Sequence, residues 1–547
     1  MTINARKFGR FLDVVRRSGI HDTIEARLRP KGKGGAPRAL KTDVFLAAMM
    51  ATVDDNRSQT LKNVHATLTV ELDIRLQERL GVRVNGEPIA KHRVYYLMSA
   101  IKKSYQHTDA TAPDALDVFA RKERRDSLQD LVDRLLAATT QHLGPADRYA
   151  VDATSIESWG KGKRRSSKKG QNPEDNEDLP RYSVDPDAAW GYRTATYGHR
   201  SNIFFGYHLT SVVRVGAVNA APDSQPLMTD RILLSPANLD DVPDAVVALD
   251  RLMEQVGPVL ELMADRGYSN KVPESWARPL RVRGIEQVID LMPSDHGARP
   301  DAQHGYIMLD GWPHDPSVPE HLHVIEKPGI MTVAPLRKGA SRAEKVDRDR
   351  RIAARDEFNR LIAERQLYAY TRHSKGKNGA VRYRCPGAAG KLKTAGCQHS
   401  VGLPEELPTS AHPTGIPVPT ACQEGHETFQ IGAQVQEKLR QRYYWGSPEW
   451  QRAFARRTAV EQTFGYLKST SALNTTRGWT QQVGLVKTFI LLAVRIAVMN
   501  IRNLTRWAVR TGNTADPLTT VDLTDYGHRE LDPQGNVAGG ISPPPAA

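Results

Sequence analysis

The spacing of apolar residues changes near residue 147, and this change limits the folds open to the chain. Before it, apolar residues recur three and four positions apart, which is the spacing of one buried helical face. Segments of this kind are TDVFLAAMMATV, SQTLKNVHATL, KHRVYYLMSAIKKSY and SLQDLVDRLLAATTQHL. After it, runs rich in β-branched and aromatic residues predict strands at 147–159, 202–216, 227–235 and 259–269. The helical segment DAVVALDRLMEQVG lies between the last two, so we predict a mixed α/β sheet flanked by helices.

A chain of 547 residues exceeds what one hydrophobic core usually organises, so we expect several domains. Region 291–445 is irregular, with prolines and basic segments, and is interpreted as an inserted subdomain. Region 160–187 passes from basic to acidic residues and predicts a flexible loop. We predict an N-terminal helical domain at 1–145 and a C-terminal tail at 511–547. The α/β domain lies between them in two parts, 146–290 and 446–510, which are separated by the insertion at 291–445.

The formal net charge of +14 favours an acidic partner. Nucleic acid is the commonest such partner, because cationic side chains release counterions from its phosphates. Several N-terminal helices carry cations on the polar face, such as Lys91, Lys102 and Lys103. These helices form either a scaffold bundle or a domain that binds DNA ends, and the sequence leaves both interpretations open.

The chain carries no pattern of a secreted or membrane protein. Its first residues, MTINARKFGRFLDVVRRSG, contain no apolar segment of the signal-peptide type. The most apolar stretch, TFILLAVRIAVMNI at 488–501, is broken by Arg495 and is too short to span a bilayer, so it predicts a buried helix. An odd number of irregularly spaced cysteines indicates a reducing compartment. We therefore expect a cytoplasmic protein without membrane contact.

Two aspartates stand at positions where a carboxylate needs an explanation. Asp152 follows the apolar start of a strand in YAVDATSIESW, and a carboxylate within a strand costs free energy unless it is paired or binds a cation. Asp265 ends the apolar run VLELMA, and Gly267 allows a sharp turn at the open end of the strand, where sites of α/β sheets form. Taken alone, Asp152 fits an edge-strand residue bonded to a loop, and Asp265 fits a turn cap.

A third acid, Glu461, belongs to the segment FARRTAVEQTFGYLK, which predicts one helix over 454–468. At about 100° per residue, Phe454, Arg457, Glu461 and Lys468 fall within a sector of about 60°. The adjacent stripe is apolar and consists of Ala453, Val460, Phe464 and Leu467. One face of the helix thus presents an acid between two cations. The alternative is a surface ion pair, because Arg457 and Glu461 are four residues apart.

The motifs VDAT, ADRGY and Phe-x2-Arg-x3-Glu-x6-Lys together resemble those of the DDE transposases of bacterial insertion sequences. Cut-and-paste members of that family carry a DRGY motif and a Tyr-x2-Arg-x3-Glu-x6-Lys signature. The resemblance spans roughly residues 147–500 and implies an RNase H-like catalytic domain that contains an insertion. The chain departs from the signature at Phe454, which keeps the ring of the usual tyrosine but lacks its hydroxyl and any hydrogen bond from it to a DNA phosphate.

The resemblance also implies roles for particular residues. Asp152, Asp265 and Glu461 would be the catalytic acids and would bind two Mg²⁺ or Mn²⁺ ions about 3.5–4 Å apart. Such ions supply a nucleophilic water and stabilise the leaving oxygen during phosphodiester hydrolysis. The implied DNA contacts are Arg457, Lys468, Arg266 and Trp445.

The implied function is a transposase that cleaves DNA at the ends of an insertion sequence and joins the resulting 3′-hydroxyls to target DNA. Its partners would be DNA, as terminal inverted repeats and as target, and a second copy of the chain, because two ends are joined in concert. The protein would then be cytoplasmic and nucleoid-associated. Two alternatives stay open: a domesticated or inactive copy that binds DNA without cutting it, and an RNase H-like nuclease without strand transfer.

Aromatic residues close to the signature helix have two interpretations. They either pack in a core or stack on a displaced DNA base, which would contribute about 1–3 kcal/mol per base. Core packing is the more common role of such residues. The residues concerned are Tyr443, Tyr444, Trp445 and Trp450.

The cysteines could hold a structural Zn²⁺ ion, since histidines lie near them in the sequence. The candidate ligands are Cys385, Cys397, Cys422, His399 and His426. Their spacing lacks the usual C-x₂₋₄-C knuckle, so the pattern weighs against a zinc site.

Overall fold

The computed structural model describes residues 3, 5–29, 39–108, 116–162, 183–193, 203–221, 224–301, 305–329, 331, 333–395, 397–411, 413–415 and 426–512. Most of the predicted loop at 160–187 lies outside these residues. So do Cys422 and nearly all of the predicted tail at 511–547.

The described chain before residue 147 is mainly helical, as the apolar spacing predicts. Its helices are α1 (Ala5–Ser18), α2 (Ile20–Leu28), α3 (Thr42–Asp54), α4 (Leu61–Ala66), α5 (Ile74–Arg79), α6 (Lys91–Tyr105) and α7 (Val118–Thr140). A short hairpin of β1 (Arg83–Val84) and β2 (Glu87–Pro88) separates α5 from α6. The helix predicted for the segment KHRVYYLMSAIKKSY is confirmed, because the segment coincides with α6. α3 is almost all apolar because it is buried on every side.

A mixed sheet forms the centre of the α/β part. The prediction of a mixed α/β sheet flanked by helices is therefore confirmed. Its described strands are β3 (Arg148–Glu157), β4 (Ala189–Tyr192), β5 (Ile203–Arg214), β6 (Thr229–Pro236), β7 (Glu261–Ala264) and β8 (Glu286–Ile289). β5 pairs antiparallel with β3 along one edge and with β4 and β6 along the other. β7 runs parallel to β3, and β8 runs parallel to β7. The strand order is therefore β6-β5-β3-β7-β8, with β4 beside the start of β5.

Helices connect the later strands of the sheet. α8 (Val242–Val256) joins β6 to β7, while α9 (Arg266–Ser269) and α10 (Ala277–Val282) lie between β7 and β8. The predicted helix DAVVALDRLMEQVG corresponds to α8, which is confirmed. α8 buries a stripe of small and branched residues because it packs on β5 and β6.

After β8 the described chain forms smaller sheets and one long helix before it returns to the main sheet. The elements of this region are β9 (Ala298–Asp301), β10 (Tyr306–Leu309), β11 (Trp312–His314), α11 (Arg342–Tyr368), β12 (Thr371–Lys375), β13 (Val381–Arg384), β14 (Lys393–Thr394), β15 (Thr409–Ser410) and β16 (Thr428–Ile431). The strands pair in the orders β11-β10-β9, β12-β13-β16 and β14-β15. The final helices are α12 (Pro448–Ala455), α13 (Thr458–Lys468) and α14 (Leu485–Arg510).

Within the described residues, buried apolar side chains form two clusters that meet at the main sheet. One cluster joins β3, β7 and β8 to α8 and to the region after β8, and it includes Val151 and Met263. The other joins Ile156 and Tyr207 of the sheet to the N-terminal helices and to α14. The core of the N-terminal helices therefore continues across the predicted boundary at residue 145.

α14 confirms the predicted buried helix over the apolar stretch 488–501. Arg495, which interrupts that stretch, is also buried, and its Nε donates to Gln59 Oε1 at 3.2 Å. Its guanidinium lies 4.7 Å from the centre of the Trp479 ring. Among the described ranges, no helix is long and apolar enough to cross a membrane.

The fully buried side chain of Asn500 fixes α14 to the first residue of β6. Asn500 accepts the Thr229 N–H at 3.0 Å, and its amide donates to Thr229 O and to Thr139 Oγ1, each at 2.9 Å. The substitution Asn500→Ala leaves the polar backbone of Thr229 buried without a partner. We expect a loss of about 2–4 kcal/mol in the free energy of unfolding, measured by denaturant titration.

The matched control is Val509→Ala on the same helix, because Val509 is exposed. This change should alter the free energy of unfolding by less than about 0.5 kcal/mol. Equal effects of the two substitutions would show that the amide of Asn500 does not fix the helix to the sheet.

Candidate carboxylate site

The pairing of β3 and β7 brings Asp152 and Asp265 next to each other. The two strands are parallel, with Ala150 opposite Met263, and each aspartate lies two residues further along the chain. Asp265 ends the fully buried strand β7 and caps α9, where its Oδ1 accepts the Gly267 N–H at 2.7 Å. The run before Asp265 is apolar because β7 is covered on both faces. The aspartate itself stands at the open end of the sheet, where ligands of α/β folds bind.

A cleft of about 430 Å³ opens in front of both aspartates. Its volume corresponds to on the order of ten water molecules. The charged residues that line it are Asp152, Asp265, Asp241, Arg193, Lys271 and Lys468. The cleft therefore combines clustered carboxylates with cations at its walls, an arrangement suited to a ligand that carries both cationic and anionic groups.

Burial raises the pKa of Asp152 to about 7, and the neighbouring carboxylate of Asp265 adds to this increase. Asp241 raises the pKa further, whereas the Ala153 N–H and Arg457 oppose the change. The Asp152 side chain keeps 20 % of its surface exposed, so solvent reaches the carboxyl without fully hydrating it. Ionised Asp152 is thus unfavourable beside Asp265 unless a cation reaches the pair.

Arg457 connects the third predicted acid, Glu461, to this pair. Its Nη2 lies 2.6 Å from Glu461 Oε1, and its Nη1 lies 3.8 Å from Asp152 Oδ2. α13 packs on β3 and β5, which brings its first turn close to Asp152. The Glu461 side chain keeps 49 % of its surface exposed and is not among the described residues that line the cleft. Two of the three predicted acids therefore line the cleft, and the third contacts the same guanidinium as Asp152.

The prediction of one helix over 454–468 is wrong, because the chain breaks between α12 and α13. Arg456 at the break turns inward and donates to the Gly216 carbonyl at 2.7 Å and to Glu261 Oε2 at 2.8 Å. Glu261 is buried at the start of β7, and Arg456 Nε also donates to the Ala453 carbonyl at 3.1 Å, in the last turn of α12. The predicted apolar stripe survives the break, because its members Ala453, Val460, Phe464 and Leu467 are all buried.

Phe454, the departure from the transposase signature, lies on α12. Its ring stacks on Trp450, with the ring centres 5.0 Å apart and the planes at 6°. Two cations lie near the Phe454 ring: Arg457 at 5.4 Å and Lys327 at 5.5 Å from its centre. The ring thus supports the position of Arg457 without the hydroxyl of a tyrosine.

Lys468 lies at the cleft wall, with its Nζ 3.4 Å from Ser155 Oγ. Burial lowers the pKa of Lys468 to about 8, and the nearby Arg193 adds to the decrease. Glu157 and Asp152 oppose that decrease but do not cancel it. An anionic ligand would raise the pKa of Lys468 again, because a nearby negative charge stabilises the protonated, charged amine.

Arg266 of the ADRGY motif is half-exposed and directs its guanidinium to Asp290, with Nη2 2.7 Å from Oδ2. The buried carboxylate of Asp290 also contacts Lys327 and accepts a hydrogen bond from Trp445 Nε1 at 3.1 Å. The Trp445 ring is buried and its indole N–H is already bonded, so this arrangement offers no open ring face for the predicted DNA contact, which stays a prediction. Burial of the whole aromatic group favours core packing over base stacking for Tyr443, Tyr444, Trp445 and Trp450.

The structure adds Asp241 and His208 to the predicted site residues, since both line the cleft. Burial raises the pKa of Asp241, which precedes α8 at the N-cap position but makes no side-chain capping hydrogen bond. Burial lowers the pKa of His208 on β5. The sequence Asp-Asp-Val-Pro before α8 was a recognisable helix start, but nothing in it indicated that the cap faces Asp152.

Fold and site together define an α/β protein that clusters carboxylates at the open end of its main sheet. A scan of protein-family models finds no match to the chain. A search of curated proteins finds no match either. The geometry and chemistry of the site are therefore the basis for proposing a function.

The raised pKa of Asp152 predicts how stability depends on pH in the metal-free protein. Between about pH 4 and about pH 7 the folded state binds a proton at Asp152 that the unfolded chain has lost, so stability falls as the pH rises. Asp152→Asn removes this contribution. We expect the variant to gain about 3 kcal/mol in free energy of unfolding over the wild type between about pH 5 and about pH 8, measured by denaturant titration with chelator present.

Asp349→Asn serves as the control, because the Asp349 side chain is exposed on α11. Its difference from the wild type should stay constant across the same pH range. A wild-type and Asp152→Asn pair with parallel pH profiles would contradict the assignment of a desolvated, incompletely neutralised carboxyl to Asp152.

Proposed function

We propose that this chain is a DDE transposase that cleaves DNA at insertion-sequence ends and joins the 3′ ends to target DNA. The observation that carries the proposal is the adjacency of two acids from distant parts of the chain, with a third acid linked to them through an arginine. Asp152 and Asp265 lie on adjacent parallel strands, and Glu461 shares the guanidinium of Arg457 with Asp152. These are the acids that the transposase motifs identify.

The strand arrangement supports an RNase H-like catalytic domain. The first three long strands, β3, β5 and β6, are antiparallel neighbours, and a crossover through α8 leads to β7 on the other side of β3. β8 then extends the sheet in the parallel direction. Asp152 on β3 and Asp265 directly after β7 therefore stand at equivalent positions of two neighbouring parallel strands.

The donor set suits hard divalent cations such as Mg²⁺ or Mn²⁺, which prefer oxygen ligands. Asp152, Asp265 and Glu461 would hold the ions, and the unfavourable proximity of the first two carboxylates is relieved when a cation binds. When bound, the ions would supply a nucleophilic water and stabilise the leaving oxygen of the scissile phosphodiester. Arg457 must exchange at least one of its two acidic partners to allow such ligation.

Cations around the cleft support a polyanionic substrate. Lys468 lines the cleft and Arg457 lies beside it, and both match the Arg and Lys positions of the signature. Arg266 is half-exposed, so its guanidinium can turn from Asp290 toward a phosphate. The net charge of +14 adds a favourable long-range field for DNA. Joining two ends in concert requires a second copy of the chain, so we include a homodimer on DNA in the proposal.

The acids provide the direct test of catalysis. We expect Asp152→Asn, Asp265→Asn and Glu461→Gln each to reduce cleavage of a duplex carrying the DNA that flanks the coding region by at least about 10³-fold in Mg²⁺. DNA binding, measured by gel shift, should stay unchanged or become tighter because a negative charge is removed. Glu449→Gln, which changes an exposed carboxylate on α12, should cleave like the wild type.

The same assay separates the alternative functions. Pre-cleaved ends incubated with target DNA should give a joined product, and cleavage without joining would indicate a nuclease instead. Wild-type protein that binds the flanking DNA but never cuts it would indicate a domesticated or inactive copy. Either result would overturn the proposed strand-transfer activity.

Cation binding can be measured without DNA. Mg²⁺ at roughly 10 to 100 times its Kd should stabilise the wild type by about 1–3 kcal/mol in thermal unfolding. Asp265→Asn should lose most of this gain, whereas Asp349→Asn, on the exposed surface of α11, should keep it. A Mg²⁺ response that is equal in the two variants would place the cation away from the carboxylate pair.

A further inference from the structure

Two cysteines and a histidine of the inserted region converge on one point, far from the carboxylate cleft in sequence. The ligand atoms of Cys385, Cys397 and His399 all lie within 4.8 Å of one another. His399 Nδ1 lies 3.5 Å from Cys385 Sγ and 3.9 Å from Cys397 Sγ. Cys385 is buried and Cys397 is partly exposed.

These separations match the geometry of a tetrahedral zinc site. With Zn–S distances of about 2.3 Å and Zn–N distances of about 2.0–2.1 Å, tetrahedral angles put the ligand atoms roughly 3.3–3.8 Å apart. The two sulfur-to-nitrogen distances are close to that range before any ion draws the side chains together. Two sulfurs and one imidazole nitrogen are also the ligand types that zinc prefers over the oxygen-seeking Mg²⁺.

The backbone around the cluster holds the ligands in place. Cys385 is buried just after β13, and its sulfur accepts the Ala388 N–H at 3.2 Å. Such N–H donors to sulfur stabilise a thiolate and orient it toward a metal. Tight turns follow Cys385 and Cys397, where Ala389 N donates to Cys385 O and Ser400 N donates to Cys397 O, each at 2.9 Å. The turns therefore point the two sulfurs from separate segments to a shared position.

The pairing of β13 with β16 brings another histidine near the cluster along the chain. Arg384 pairs with Thr428, and the Cys385 N–H donates to Glu427 O at 3.1 Å. His426 precedes Glu427, so its backbone lies near the Cys385 turn. The three ligands described above leave the fourth position of a tetrahedral site to water or to another side chain.

We propose that Cys385, Cys397 and His399 bind a structural Zn²⁺ ion that fastens the β14 segment to the end of β13. The segments that it joins have little regular structure of their own, because β14 and β15 are two residues each. An ion bound between these segments would stabilise their positions, because strands of two residues contribute little stability through packing. The irregular cysteine spacing weighed against zinc in the sequence, but the fold brings together residues that the spacing does not. The proposal is independent of the transposase activity.

The test uses full-length protein purified from zinc-supplemented cells without chelator. Elemental analysis should find about one zinc per chain. Cys397→Ser and His399→Ala should each reduce the zinc content at least about fivefold, and His373→Ala, which changes an exposed histidine on β12, should keep it. Replacement of zinc by Co²⁺ should give the thiolate charge-transfer absorption of a sulfur-ligated metal, and Cys397→Ser should weaken that absorption.

The wild-type measurement decides the outcome even if a variant fails to fold. Protein that contains no zinc, and that shows no thiolate absorption when Co²⁺ is added under reducing conditions, would overturn the site. Zinc that remains in both Cys397→Ser and His399→Ala would likewise assign the metal to other residues. Loss of DNA cleavage in the carboxylate variants should leave the zinc content unchanged, so the two proposals fail separately.

Discussion

The electrostatics of the carboxylate site depend on two carboxyls, Asp152 and Asp265, that the fold holds close together. Hydrogen bonding between β3 and β7 fixes Asp152 and Asp265 at equivalent positions of neighbouring strands, so neither can move away from the other without disturbing the sheet. Burial and mutual repulsion raise the pKa of Asp152 to about 7. A positive charge at this end of the sheet would therefore stabilise the two ionised carboxylates. Arg457 supplies only part of that stabilisation, because it lies 3.8 Å from Asp152.

Two other buried carboxylates of the described chain lie beside close cations. Burial alone would raise the pKa of Asp310, but the Arg365 guanidinium at 2.8 Å, together with His296, holds it below its usual range. Asp290 likewise has a lowered pKa, because Lys327 and Arg266 outweigh its burial. The carboxyl of Asp152 differs from these two, because it faces an open cleft and its only ion pair among the described residues is with Arg457, at 3.8 Å. This difference is why the proposed function assigns a cation to Asp152 and not to Asp310 or Asp290.

Local patterns predicted the elements of this fold better than they predicted contacts between them. The helix α6, the strands β3, β5 and β6, and the buried helix α14 follow from apolar spacing, because burial of one face determines which residues such elements require. The break at Arg456 did not follow, since the partners of its side chain include Glu261, nearly two hundred residues earlier in the chain. The sequence left two roles open for Trp445, and the spacing of the cysteines weighed against a shared site for Cys385 and His399. Burial and convergence are properties of tertiary packing that local spacing does not determine. At the carboxylate site, the motifs predicted three acids. The sequence did not indicate that Asp241 lines the same cleft, or that Arg457 contacts both Asp152 and Glu461, because both facts depend on how the sheet and helices pack.

The buried carboxylate of Asp290 explains how a long insertion can interrupt this site without displacing it. Asp290 directly follows β8, and it contacts Lys327 near the start of the inserted region and Trp445 at its end. The same carboxylate holds Arg266, the residue that follows Asp265. Both ends of the insertion are therefore fixed to the main sheet beside the second catalytic acid of the proposal. A single carboxylate thus connects the inserted region to the residue that follows Asp265, so a substitution that removes it would disturb both the insertion and the wall of the carboxylate cleft.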